Sequence, residues 1–291
     1  MTSVKPNVTG LLGRAVQPLV WLGVLGIALS AACAVIAAKN GLIIPPEGDL
    51  TKVITFDLAL GIYVITIAFI VPLARFSATG RRLWVGLSVG MALYAYGMET
   101  IQQLRGIDPR FTHVGGPVDT LVGAVFGLDA LGLIAMFSIL AVKLARRGTG
   151  GADGLVLLAL RYAIGATLLA FAAGIWMIVN QGRYTGAAGN ILPLHAFGFH
   201  ALQAIPLVAW LFSQSAAPDR EARPWVHAAG ATWMAACLGI AWQTAAGRPV
   251  TELSPVMLAT AVVLCGWTLS ALRALQAWRA SRLTADLQPA M

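Results

Sequence analysis

His195, His200 and Gln203 stand in a run, Leu194 to Gln203, whose other residues are apolar enough to lie in a bilayer. Ionisable groups are costly in hydrocarbon, and in membrane helices they mark functional sites that face the bundle interior. An imidazole beside a carboxylate can ligate a metal or act as a general acid or base. Glu99 and Asp129 supply such carboxylates inside apolar stretches, with Asp57 and Gln102 as supporting polar groups. The step from His195 to His200 turns an ideal helix to leave the rings roughly 140° apart. One metal held by both histidines therefore needs a broken helix. Gly198, Pro193 and Pro206 are residues that permit a local kink. On an intact helix, His195 belongs with Glu99 as the candidate metal pair, whereas His200 shares a face with Gln203.

The positioning elements follow from composition. The chain has 291 residues, of which 58% are hydrophobic and 11% charged, and its mean hydropathy is +0.77. A soluble domain carries about 25% charged residues. Apolar runs recur at about 18–39, 53–74, 83–104, 119–143, 154–180, 190–213, 225–246 and 254–275. Each matches the ~20 residues that a helix needs to cross the hydrocarbon core. Backbone polar groups in lipid must be satisfied within the segment, so these runs predict helices. The expectation is an all-α polytopic membrane protein with eight transmembrane helices arranged as four hairpins. Residues 1–17 and 276–291 are tails, and 18–275 form the transmembrane domain. The first apolar run exceeds the 7–15 residues of a signal-peptide core and reads as a retained span.

Eight spans put both termini and alternate loops on one side. That side carries 13 Lys and Arg residues, including Lys5, Arg81 and Arg147, against 6 on the other, with Arg161 inside a span. The positive-inside rule places both termini in the cytoplasm. The net charge of +8 is spread over short loops, so it needs no nucleic-acid partner. Cys33, Cys237 and Cys265 all fall in spans, which argues against a disulfide framework.

Two hairpins look alike. Arg110-Phe-Thr precedes Phe126-Gly-Leu-Asp129-Ala-Leu, and Arg183-Tyr-Thr precedes Phe197-Gly-Phe-His200-Ala-Leu. The last hairpin also echoes the third. Such self-similarity suggests a possible internal repeat. It makes Asp129 and His200 counterparts, each roughly 15 Å deep at 1.5 Å rise per residue, where pairing would offset the cost of burial. Most in-span polar residues lie in the outer half, which suggests a polar cavity open to the extracytoplasmic side. Asp119 and Asn190 are positioned to cap helices, and Arg161 to reach the cytoplasmic headgroups.

No mid-span lysine is present for a retinal Schiff base, and no His-Glu-x-x-His or Cys-x-x-Cys-His motif occurs. The segment from Leu194 to Pro206, preceded by Arg105-Gly-x-x-Pro-Arg-Phe-Thr112, resembles one in uncharacterised bacterial polytopic membrane proteins. Those carry a similar His-Phe-x-Gly-Leu-His-Ala-x-Gln-x-x-Pro run. The resemblance covers spans three to six and implies a bacterial inner (plasma) membrane setting, without implying a chemistry. Three functions remain open. The leading one is a membrane-embedded site that binds a metal, haem or lipid-like substrate for redox or hydrolytic work. The others are a proton-coupled carrier of a small solute and a non-catalytic assembly subunit.

Overall fold

The computed structural model describes residues 13–151 and 153–286, with side chains to 283. Lys5 and the ends of both tails, 1–12 and 287–291, lie outside the described residues. Eight long helices run along the described chain: α1 (Gln17–Asn40), α2 (Leu50–Ile70, continued by a 3-10 turn Val71–Ala74), α3 (Ala78–Leu104), α4 (Pro117–Ala145), α5 (Gly154–Val179), α6 (Leu192–Ser213), α7 (Asp219–Ala245) and α8 (Pro255–Asp286). The described chain is nearly all-α, as expected, with small additions in the loops. Two small antiparallel hairpins, β1–β2 (Ile43–Ile44, Gly48–Asp49) and β3–β4 (Tyr184–Thr185, Gly189–Asn190), occupy loops. The last helix also continues past 275, because Ala-Leu-Gln-Ala-Trp-Arg-Ala keeps a strong helix-forming sequence.

Among the described residues, six helices are long and apolar enough to cross a membrane: α1, α2, α4, α5, α6 and α8. Their outward faces carry large apolar side chains. Val179, Val262 and Trp21 are 77%, 72% and 71% exposed. A soluble protein rarely shows so much contiguous apolar surface, so these helices have the surface of an integral membrane protein. Helices α3 and α7 have the length, 27 residues each, but are more polar.

The chain divides into two compact units at Lys143/Leu144. Each has the same element order: helix, β-hairpin, then three helices. In the first, α1 packs on α2 where two glycines face each other. A Cβ on Gly61 would stand 2.8 Å from the Gly23 carbonyl. In the second, α5 buries Ala159, Ala163, Ala166, Ala170 and Ala173 along one stripe. Gly198 of α6 meets that stripe, its added Cβ 2.7 Å from the Ala166 carbonyl. Small residues let membrane helices approach until their backbones touch.

The units match at a constant offset of 141 residues. Ile43 pairs with Asp49 as Tyr184 pairs with Asn190. Asp49 accepts from the Thr51 N–H at the start of α2, and Asn190 accepts from the Leu192 N–H at the start of α6. Each hairpin docks on the end of the third helix of its unit. Glu47 N–H donates to the Gly106 carbonyl at 2.9 Å, and Ala188 N–H to the Gly247 carbonyl at 2.8 Å. Both glycines take positive φ, 77° and 71°. A Cβ on Gly106 would lie 2.2 Å from the Pro45 carbonyl oxygen, and one on Gly247 2.9 Å from Gly186 Cα. This order matches α2 with α6 and α4 with α8, so Asp129 on α4 and His200 on α6 sit on non-equivalent helices.

Replacing Gly106 or Gly247 by alanine should each cost roughly 1–3 kcal/mol, from left-handed backbone strain plus the clash. Gly90→Ala, at an open helical position, should be neutral or stabilising by up to about 1 kcal/mol. Thermal unfolding in detergent compares them, and equal midpoints for Gly106→Ala and Gly90→Ala would refute the docking contact.

Candidate functional site

In the first unit, α2 and α3 bring two carboxylates into the interior. Glu99 and Asp57 are both fully buried. The Thr100 hydroxyl, next in sequence to Glu99, donates to Asp57 Oδ2 at 3.0 Å. The two acids are near enough for their charges to act on each other. Glu99 Oε2 forms an ion pair with Arg110 Nη2 at 2.6 Å. The guanidinium lies 5.2 Å from the Phe56 ring centroid and 5.7 Å from that of Phe126. These rings meet edge-on at 6.0 Å. A partly desolvated arginine between aromatic rings gains cation–π attraction while it neutralises a buried acid.

Arg110 comes from the loop after α3, so the loop must be held. Lys52 Nζ pairs with Asp108 Oδ2 at 2.5 Å. Asp108 Oδ1 accepts the N–H groups of Arg110, at 2.8 Å, and Phe111, at 3.2 Å. Glu47, at the β1–β2 turn, accepts the Thr112 hydroxyl at 2.6 Å and the His113 N–H at 2.7 Å. Gln103 Oε1 accepts the Asp49 N–H at 2.7 Å, tying α3 to the β-hairpin. These carboxylates are tuned by the loop. The Thr112 hydroxyl and the His113 and Asp108 N–H groups hold the Glu47 carboxyl below its ordinary range. Burial pushes Asp108 up, but the Lys52 ammonium and the Arg110 N–H more than offset this, and its carboxyl ends lowered.

The other sequence candidates have different surroundings. Gln102 donates to Asp119 Oδ1 at 3.1 Å beside Arg105 at 2.8 Å, while Asp119 Oδ2 accepts the Gly116 N–H. Gln243 of the second unit occupies the matching position and accepts the Ser254 hydroxyl at 2.7 Å, so this glutamine joins the third helix of each unit to the start of the fourth. Asp129 is half-buried, and its Oδ2 has no partner among the described residues. In the second unit His195 Nδ1 bonds the Ala170 carbonyl at 2.7 Å, and its ring meets Phe199 edge-on. His200 is exposed and Gln203 half-buried on the same helix. The Arg161 guanidinium donates to the carbonyl of Ala145, orphaned at the end of α4, and to that of Arg147 just past it. The cysteines are all free.

Asp57, Glu99, Gln102 and Asp129 thus belong to one unit, and His195, His200 and Gln203 to the other. Glu99 and His195, the pair considered for a metal, each take a partner inside their own unit. Among the described residues no group of three or more His, Cys, Asp or Glu side chains is gathered for a metal ion.

No family model, curated protein or solved structure matches the chain. Its chemistry must therefore be read from its own side chains. Sequence reasoning missed Arg110, Tyr96, Thr100 and Gln103. Tyr96, Glu99 and Gln103 follow an i, i+3, i+7 spacing that was available as a signal. Arg110 left none, because its partner is eleven residues back across a loop.

Arg110→Ala leaves Glu99 buried without a counter-charge. It should lower stability by about 3–5 kcal/mol, and adding Glu99→Gln should restore much of this, as read by thermal unfolding. A double variant no more stable than Arg110→Ala would show the ion pair to be dispensable. The lowered carboxyls of Glu47 and Asp108 stabilise the loop at pH above their ordinary values, 4.5 and 3.8. That contribution is lost as pH falls through and below these values. Hydrogen exchange over 105–116 should therefore lose protection on acidification through this range, and pH-independent protection would contradict it.

Proposed function

We propose that this chain is a proton-coupled carrier of a small solute. It would cross the bilayer eight times, arise from duplication of a four-helix unit, and keep both termini in the cytoplasm of a bacterium. Length supports α3 and α7 as the additional spans, since 27 residues cover about 40 Å. Helix α3 also packs with both α1 and α2, which are apolar enough to cross. Paired repeats are a common plan of secondary transporters.

One observation carries the chemistry. Asp57 and Glu99 both interact with the Arg110 guanidinium, while the nearby Lys52 ammonium is already paired with Asp108, in an interior where excess charge is expensive. Binding one proton switches this cluster between net −1 and neutral, and acids inside membrane helices serve proton relays in this way. The cluster is not needed to build the unit. At the same offset of 141 the second unit has Gly198 in place of Asp57 and Ile240 in place of Glu99, yet it forms the same elements. Metal or haem binding by Glu99 and His195 has less support, because Arg110 and the Ala170 carbonyl already engage them.

The full chain in proteoliposomes loaded with a pH-sensitive dye tests this reading. Sugars, amino acids and small carboxylates are added one class at a time. One class should move protons with it, and Asp57→Asn should abolish that movement without unfolding the protein. If Asp57→Asn and Glu99→Gln change only stability, the cluster is a holding contact of an assembly subunit.

A further inference from the structure

Of the polar atoms in the first unit that are buried with no partner among the described residues, Arg81 Nε and Asp129 Oδ2 stand apart, and five lie near one another in sequence register on α2 and α3: Asp57 Oδ1, Ser88 Oγ, Tyr96 Oη, Glu99 Oε1 and Gln103 Nε2. Four of them are on α3. Positions 88, 96, 99 and 103, with Ala92 between, advance by four, four, three and four residues, so they form one stripe along the helix. The stripe spans about 22 Å at 1.5 Å rise per residue. Tyr96, Glu99, Gln103 and Asp57 are each 0–1% exposed. Buried polar groups without a protein partner are satisfied by internal water. At the far end, Ser88 is the polar group in a small, otherwise mostly apolar cavity lined also by Tyr63, Trp84, Leu133 and Met136, whose volume of about 20 Å³ has room for one water. Midway, the Tyr96 hydroxyl fills the gap above Gly26, where a Cβ would come within 2.2 Å of it. It is close enough to Asp57 for their charges to interact.

The second unit supplies an internal control. At the same offset it has Ala229 for Ser88, Cys237 for Tyr96, Ile240 for Glu99 and Gly198 for Asp57. Thr244, in place of Gln103, has its hydroxyl bonded to the Asn190 carbonyl. One unit carries a stripe of polar groups interrupted by Ala92, and the other folds the same way with a stripe that is apolar but for Cys237 and Thr244. Helix packing alone therefore does not require these groups.

We infer that this face of α3 is a hydrated proton path, from the Ser88 cavity past Tyr96, that feeds the Asp57–Glu99 cluster. It rests on the proton-coupling reading above and names how the proton arrives. Water at Ser88 passes a proton along the file. The Tyr96 hydroxyl accepts one proton and donates its own, ending unchanged. Asp57 Oδ1 receives the proton and becomes a neutral acid, and the cluster goes from −1 to neutral. Bulk water supplies the proton. The charged and titratable groups that face the cluster are Cys33 on α1, Lys52 on α2, Tyr96 on α3, and Asp108 and Arg110 on the loop.

Infrared spectroscopy of the full chain in proteoliposomes tests this by following the carboxylic-acid carbonyl band after a pH jump. Wild type should gain a band that Asp57→Asn removes. Tyr96→Phe should reach the same final amplitude but slow the rise about tenfold, which is about 1.4 kcal/mol of added barrier. Tyr96→Cys, which copies the second unit, repeats the test if the phenylalanine variant folds poorly. The wild-type rise should also slow in heavy water. A Tyr96→Phe rise at the wild-type rate overturns the path and leaves proton binding intact. A wild type without an Asp57-dependent band overturns the proton-coupling reading, and the path with it.

Discussion

A fully buried carboxylate needs a counter-charge, and much of the first unit is arranged around giving Glu99 one. The guanidinium of Arg110 arrives from a loop, and a loop cannot hold a side chain inside a bundle unaided. Asp108 therefore binds the backbone on either side of Arg110's peptide, and Lys52 holds Asp108. Glu47 fastens the following residues from the β1–β2 turn. Phe56 and Phe126 flank the cation. The β-hairpin itself stays in place because glycines at 48 and 106 let its backbone touch the end of α3. Charge burial at one residue thus explains the loop and its ion pairs as one arrangement.

The second unit shows which parts of that arrangement belong to the fold and which do not. It repeats the hairpin, the close glycine contact and the linking glutamine, at Gly189, Gly247 and Gln243. It lacks the acids. Its α5–α6 contact is instead sealed by a run of alanines against Gly198. The same scaffold therefore carries a charged interior once and an apolar interior once. That asymmetry separates Asp57 and Glu99 from residues whose only work is packing.

The histidine run that stands out in the sequence has a quieter setting. His195 is engaged by a backbone carbonyl and a phenylalanine edge, while His200 is exposed. A five-residue step along a helix separates the two environments. Asp57, a supporting residue by its position near a helix start, is instead fully buried. Distance from a span end is a poor guide to burial, because a β-hairpin and a loop cover that end of the bundle.

Composition and apolar run lengths were enough to determine a chain of membrane-type helices, since lipid admits few other spanning structures. Eight helices were legible, as were the acids among them. The spacing of Tyr96, Glu99 and Gln103 also lay in the sequence, as a polar face on α3. Tertiary structure alone decided that Arg110 pairs with Glu99, that the β-hairpins cap the third helices, and that two four-helix units share one element order. Each of these depends on which residues meet across a loop or between helices. Hydrophobic periodicity describes one helix at a time, so it carries no record of such meetings.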